Sequence, residues 1–181
     1  MRILPNAEIV DLALYTESTL VIADVHIGYE EALNKQGVLV PRLQFEEMAK
    51  RMVKIFRLLE GKPIKRVVVN GDLKHEFGTI SEQEWRNTLK FIDLLAKHCN
   101  EVILIKGNHD TVLGPIAKKR NVKVLEYYIL EQAKKPKSKT IIVHGNKIPD
   151  KEALKSVSTI IIGHEHPAIS IKEGPSTVSW L

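Results

Sequence analysis

Five times along this chain a short apolar run stops on Gly, Asp, Asn or His. Leu20-Val21-Ile22 leads to Asp24 and His26, Val67-Val68-Val69 to Gly71-Asp72, and Val102-Ile103-Leu104-Ile105 to Gly107-Asn108-His109-Asp110. Ile141-Ile142-Val143 then leads to His144-Gly145, and Ile160-Ile161-Ile162 to Gly163-His164-Glu165-His166-Pro167. Apolar runs of this length bounded by Gly and Pro read as buried strands. Open α/β sheets bind ligands in the crevice beyond the carboxyl ends of their strands. A fold that satisfies all five runs must therefore bring their polar ends to one edge. Six of the 7 histidines (His26, His75, His109, His144, His164 and His166) lie in or just after these blocks, and only His98 falls elsewhere. A lone histidine on an apolar strand is usually a satisfied core residue. Five coincidences with Gly, Asp and Asn at strand ends are not explained that way.

The segments between the runs set the layers. Residues 9–15 and 19–25 read as two strands joined at Thr16-Glu17-Ser18, and residues 29–35 as a short helix. Residues 43–59 carry Phe45, Met48, Ala49, Met52, Val53, Phe56 and Leu59 at helical spacing, which marks a core-facing helix. Ser81 with Glu84 three residues later is a capping box opening a helix through about Lys97. A helix at 115–120 and strands at 122–125 and 127–130 follow. The lysine-rich run at 134–139 reads as a solvated hairpin tip. A short helix is expected at 151–155, and edge strands at 169–171 and 177–180. Helices alternate with strands early and strands follow strands late, so the expected class is α/β, layered on a mixed sheet.

With 181 residues the chain is long enough for one core of ordinary size. A hydrophobic content of 44% with 27% charged residues is ordinary for a soluble protein. The single cysteine, Cys99, cannot form an intrachain disulfide, and a cytoplasmic setting is the natural expectation. No apolar stretch approaches the roughly 18 residues of a membrane span. The net charge of +5 suits a polyanionic partner such as nucleic acid, although Lys- and Glu-rich surfaces also arise without one.

The five blocks, Asp24-x-His26, Gly71-Asp72, Gly107-Asn108-His109-Asp110, His144-Gly145 and Gly163-His164-x-His166, stand in an order that resembles the calcineurin-like metallophosphoesterase superfamily. The resemblance implies a layered αββα-type fold with mixed sheets and one domain over residues 1–181. It also implies two divalent metal ions. Asp24, His26 and His166 would hold one, Asn108, His144 and His164 the other, with Asp72 between them. An oxygen and nitrogen donor set without thiolate suits Mn, Fe or Zn better than a soft metal; Mn is the first expectation, with Fe, Zn or Ni as alternatives. A hydroxide bridging the metals would attack phosphorus, His109 would be the catalytic histidine, and Asp110 would orient its ring.

His26-Ile27-Gly28-Tyr29-Glu30 and Gly71-Asp72-Leu73-Lys74-His75-Glu76-Phe77 narrow the match. They look like the small phosphoesterases related to the SbcD nuclease subunit, a group of archaeal proteins and bacterial DNA repair nucleases. The implied activity is a nuclease, with nucleic acid as substrate and a repair protein or a second copy as partner. Phosphodiester or phosphomonoester hydrolysis on nucleotides, cyclic nucleotides or phosphoproteins is the alternative, and a non-catalytic scaffold of the same fold is a third. His75 would contact a substrate phosphate or steady a metal ligand. Tyr29 and Phe77 offer faces for base stacking, although isolated aromatics are more often packing residues. Only 15 residues follow His166, which leaves no room for a capping domain, so the expectation is a minimal form or a trimmed chain.

Overall fold

The computed structural model describes residues 1–78, 80–131 and 139–166, together with the backbone of 169–173 and 176–180. Four short strands open the chain: β1 (Arg2–Leu4), β2 (Ala7–Val10), β3 (Ala13–Thr16) and β4 (Thr19–Ile22). Helices α1 (Tyr29–Lys35) and α2 (Gln44–Leu58) lead to β5 (Arg66–Asn70), and α3 (Glu82–Ala96) leads to β6 (Glu101–Ile105). Then come α4 (Gly114–Arg120), β7 (Lys123–Leu125), β8 (Tyr127–Glu131), β9 (Lys139–Val143) and β10 (Val157–Ile162). A hairpin of β11 (Ile169–Glu173) and β12 (Ser176–Trp180) ends the described chain.

Strands β1 to β7 form one sheet in sequence order, antiparallel through β4 and parallel from β4 to β7. A second sheet has the order β10-β9-β8, with β9 and β10 parallel. The central strands of the large sheet are apolar on both faces because both are covered. Leu20, Val67, Val69 and Leu104 pack with Met52, Ile55, Phe56, Phe91, Ile92 and Leu95 of α2 and α3. Val21, Val68, Ile103 and Ile105 pack on the other face with Ile142 of the small sheet. Phe91 is wholly buried. Phe91→Ala should therefore lower unfolding free energy by about 3–5 kcal/mol in a urea titration.

The single strand expected at 9–15 is two. Asp11 takes a positive φ of 55° and starts a two-residue turn, after which Val10 pairs with Ala13. The apolar residues flanking Asp11 give the turn the same hydrophobic pattern as a continuous strand. The Asp11 carboxylate is bonded by Lys54 at 2.8 Å, tying the turn to α2. Residues 151–156 form turns rather than a helix, with the Asp150 carboxylate accepting from Ala153 N–H at 2.7 Å. Strand β10 is half-exposed rather than buried, because among the described residues it pairs only with β9. Of the lysine-rich run only Lys139 is among the described residues, and Pro167 is outside them.

Candidate metal centre

Parallel pairing of β4, β5 and β6 puts residues 24–26, 71–72 and 107–110 at one edge of the large sheet. Parallel pairing of β9 and β10 does the same for 144 and 163–166 in the small sheet. Asn70 stitches the two sheets together. Its side-chain amide donates to the Val143 carbonyl at 3.0 Å, and its backbone carbonyl meets His144 Nδ1 at 3.0 Å. The loop after β4 runs alongside the loop after β5, with His26 N–H donating to Asp72 O at 2.9 Å and Ile27 N–H to Leu73 O at 3.0 Å.

These loops bring three groups of donors together. Asp24, His26 and His166 offer atoms within 4.8 Å of one another, as do Asp72, His144 and His164, and His26, His75 and His109. Asp72 sits among the groups. Its Oδ2 lies 3.3 Å from His144 Nε2, 3.9 Å from His26 Nε2 and 4.0 Å from His109 Nε2. The Asn108 side-chain oxygen is 3.1 Å from His144 Nε2. Asp24 accepts from the His164 N–H at 3.2 Å and lies 3.9 Å from His166 Nε2. Asp24, His26, Asp72 and His164 all have positive φ, between 48° and 65°. Such backbone persists only where the surrounding fold imposes it, and it concentrates at functional sites.

Two glycines are required by close approach. A Cβ on Gly71 would lie 2.2 Å from the His144 ring, and one on Gly107 would lie 2.1 Å from Asp72 Oδ1. Gly71→Ala should destabilise the fold by about 1–3 kcal/mol, as overpacking does, and displace His144. Thermal unfolding and cation titration of that variant would show both effects.

The donors fit a divalent cation. A carbonyl only accepts, so the His144 Nδ1 contact with Asn70 O makes Nδ1 the protonated nitrogen and turns Nε2 toward Asp72 and Asn108. Burial pushes the imidazoles of His26 and His75 below the ordinary histidine range, which favours the neutral form that binds metal. Burial alone would raise the Asp72 carboxyl. The His144 contact and the His109 N–H bond overcome it, holding Asp72 at about 2 and thus ionised.

One expected role is corrected. Asp110 does not hold the His109 ring: its buried carboxylate accepts from the N–H groups of Leu73 (3.1 Å), Lys74 (3.3 Å) and Gly107 (3.0 Å). The ring is held instead by the His75 carbonyl, 2.5 Å from His109 Nδ1. Asp110 is thus a brace between two site loops. Tyr29 and Phe77 are exposed rather than packed in the core. The Tyr29 ring lies 4.9 Å from that of His75, and the Phe77 ring 3.7 Å from that of His109. Glu84 was not singled out from sequence as a site residue, yet its buried carboxylate accepts from the N–H groups of His75 and Glu76.

A layered α/β fold that gathers imidazoles and carboxylates at its strand ends has the donor set of a divalent-metal protein. The model of the calcineurin-like phosphoesterase family matches residues 18–176, and the chain belongs to that family. No curated protein is matched by the sequence. Among solved structures, the Pseudomonas putida nuclease MPE is similar at 22% identity and a TM-score of 0.54, over 94% of this chain and 78% of that one. A protein of unknown function from Aquifex aeolicus is 22% identical at a TM-score of 0.42, over 74% of this chain and 64% of that one. The first likeness bears on the fold, which is the layered one expected. No helix among the described residues is long and apolar enough to cross a membrane.

Proposed function

We propose that this chain is a two-metal phosphodiesterase acting on nucleic acid. The observation that carries the reading is a carboxylate and imidazole cup with two exposed aromatic rings, Tyr29 and Phe77, at its rim. Asp24, His26 and His166 would hold one cation, Asn108, His144 and His164 the other, with Asp72 shared. Divalent cations held there, Mn first among them, would supply Lewis acidity to phosphoryl oxygens and lower the pKa of bound water toward neutrality.

The protein's own groups do the rest. His109 keeps one proton on Nδ1, against the His75 carbonyl, so Nε2 is the nitrogen that takes up a second proton and, from the imidazolium, delivers it to a leaving oxygen. His75, between the Tyr29 and His109 rings, touches a substrate phosphate. The aromatic faces stack on bases, a contact every base can make. The net charge of +5 favours a polyanion.

Hydrolysis of single-stranded DNA, duplex DNA, a cyclic nucleotide, a phosphopeptide and an aryl phosphodiester with added Mn would test this. DNA cleavage, with binding that weakens as salt rises, is expected. Cleavage of only the cyclic nucleotide or phosphopeptide would overturn the substrate, and no cleavage of any would overturn the enzyme. Replacing both Tyr29 and Phe77 by alanine should weaken single-strand binding by roughly 30-fold or more while sparing the aryl diester, given about 1–3 kcal/mol for each of two stacked bases.

A further inference from the structure

The spacing of Ser81 and Glu84 reads as a capping box, and half of one forms: Ser81 Oγ accepts from Glu84 N–H at 3.1 Å. The other half would return the Glu84 carboxylate to the Ser81 N–H. Glu84 turns away instead. Its Oε1 accepts from His75 N–H at 2.9 Å and from Glu76 N–H at 3.1 Å, and the residue is only 1% exposed. The carboxyl lies against the backbone of Gly28, where a Cβ would come within 3.1 Å. Its Oε2 is buried without a hydrogen-bond partner, and burial raises the Glu84 carboxyl above the ordinary range. A carboxylate in this position is costly unless it holds something.

What it holds is one particular peptide plane. The Glu76 N–H and the His75 C=O belong to the same amide, on opposite edges of it. Glu84 grips the N–H edge, and His109 Nδ1 sits 2.5 Å from the oxygen on the other. An anion on the N–H polarises the amide and strengthens its oxygen as an acceptor. The His75 N–H has a second acceptor, Ile27 O at 2.9 Å, so the strand-like course of the loop does not depend on Glu84 alone. The buried Lys74 amine donates to the Glu76 carbonyl and steadies the next peptide.

We propose that Glu84 is a positioning residue for His109: through the His75–Glu76 amide it keeps the His109 proton on Nδ1 and leaves Nε2 facing Asp72. The proposal rests on His109 as the proton donor for its catalytic consequence, but its geometric content stands apart from activity. Glu84 lies outside every donor group of the cup, so cation content is not the quantity it sets.

The test reads the tautomer directly. Histidine nitrogen NMR on protein loaded with diamagnetic Zn should show His109 protonated on Nδ1 in the wild type. In Glu84→Ala that single state should become a mixture. Glu84→Gln keeps an oxygen acceptor and should retain the Nδ1 form. Glu84→Asp, shorter by one methylene, should behave as Ala does and serves if Ala fails to fold. With Mn and single-stranded DNA, whose alkoxide leaving group needs a proton, Ala or Asp should lower kcat by about 10- to 100-fold, the loss typical of removing a partner that orients a site residue, with KM and cation content unchanged. In a His109→Ala background the Glu84 substitution should cost nothing more. An unchanged tautomer in both Ala and Asp, or a full additional loss in the His109→Ala background, would overturn the proposal. If His109→Ala itself keeps full activity, the reading of His109 as proton donor fails, and the NMR result alone decides whether Glu84 sets its tautomer.

Discussion

Asp72→Ala should lose hydrolysis by roughly 10³-fold or more and leave the purified protein depleted of cations. The magnitude is about 4 kcal/mol of barrier, the upper range for removing one group that stabilises developing charge. Asp72 has this weight because of its neighbours. It is buried and ionised, Oδ1 accepts the His109 N–H at 2.9 Å, and Oδ2 faces imidazoles delivered by three different loops. Metal analysis of wild type and variant, purified without chelators, is the deciding measurement. A variant with undiminished metal content would remove Asp72 from between the cations.

His109→Ala should lower hydrolysis by about 10²- to 10⁴-fold, the usual contribution of a positioned acid or base, with cation content unchanged. The two variants therefore separate holding the cations from moving the proton. The loss should also depend on the leaving group. A nucleoside alkoxide needs a proton as it departs, whereas an aryl oxide leaves with much less help. Cleavage of DNA should suffer far more than cleavage of an aryl phosphodiester. Equal losses on both would mean that His109 steadies the phosphoryl group instead.

Asp110 and Glu84 show where sequence patterns stopped being informative. Both are buried carboxylates that, among the described residues, accept only backbone N–H groups, Leu73, Lys74 and Gly107 for one and His75 and Glu76 for the other. Together they satisfy four consecutive N–H groups, of residues 73 to 76, in the loop after β5. Contacts to backbone leave no residue-type signature on the partner. Asp110 could thus be read as a partner of the adjacent His109, and Glu84 as a helix cap. The turn at Asp11 was hidden for a related reason, since one turn residue inside an apolar stretch does not break its hydrophobicity.

The sequence by itself determined the class of fold and the chemical inventory of the cup. Apolar runs long enough to be strands and ending in Asp, Asn and His can be satisfied only by a layered sheet that gathers those ends, and hydrophobic burial enforces that arrangement. Only the tertiary structure decided which nitrogen of His109 faces the cup, which carboxylate braces which loop, and that Tyr29 and Phe77 stand at the rim. Those outcomes depend on hydrogen-bond directions between residues up to 37 positions apart, over distances of about 3 Å, which no spacing along the chain encodes.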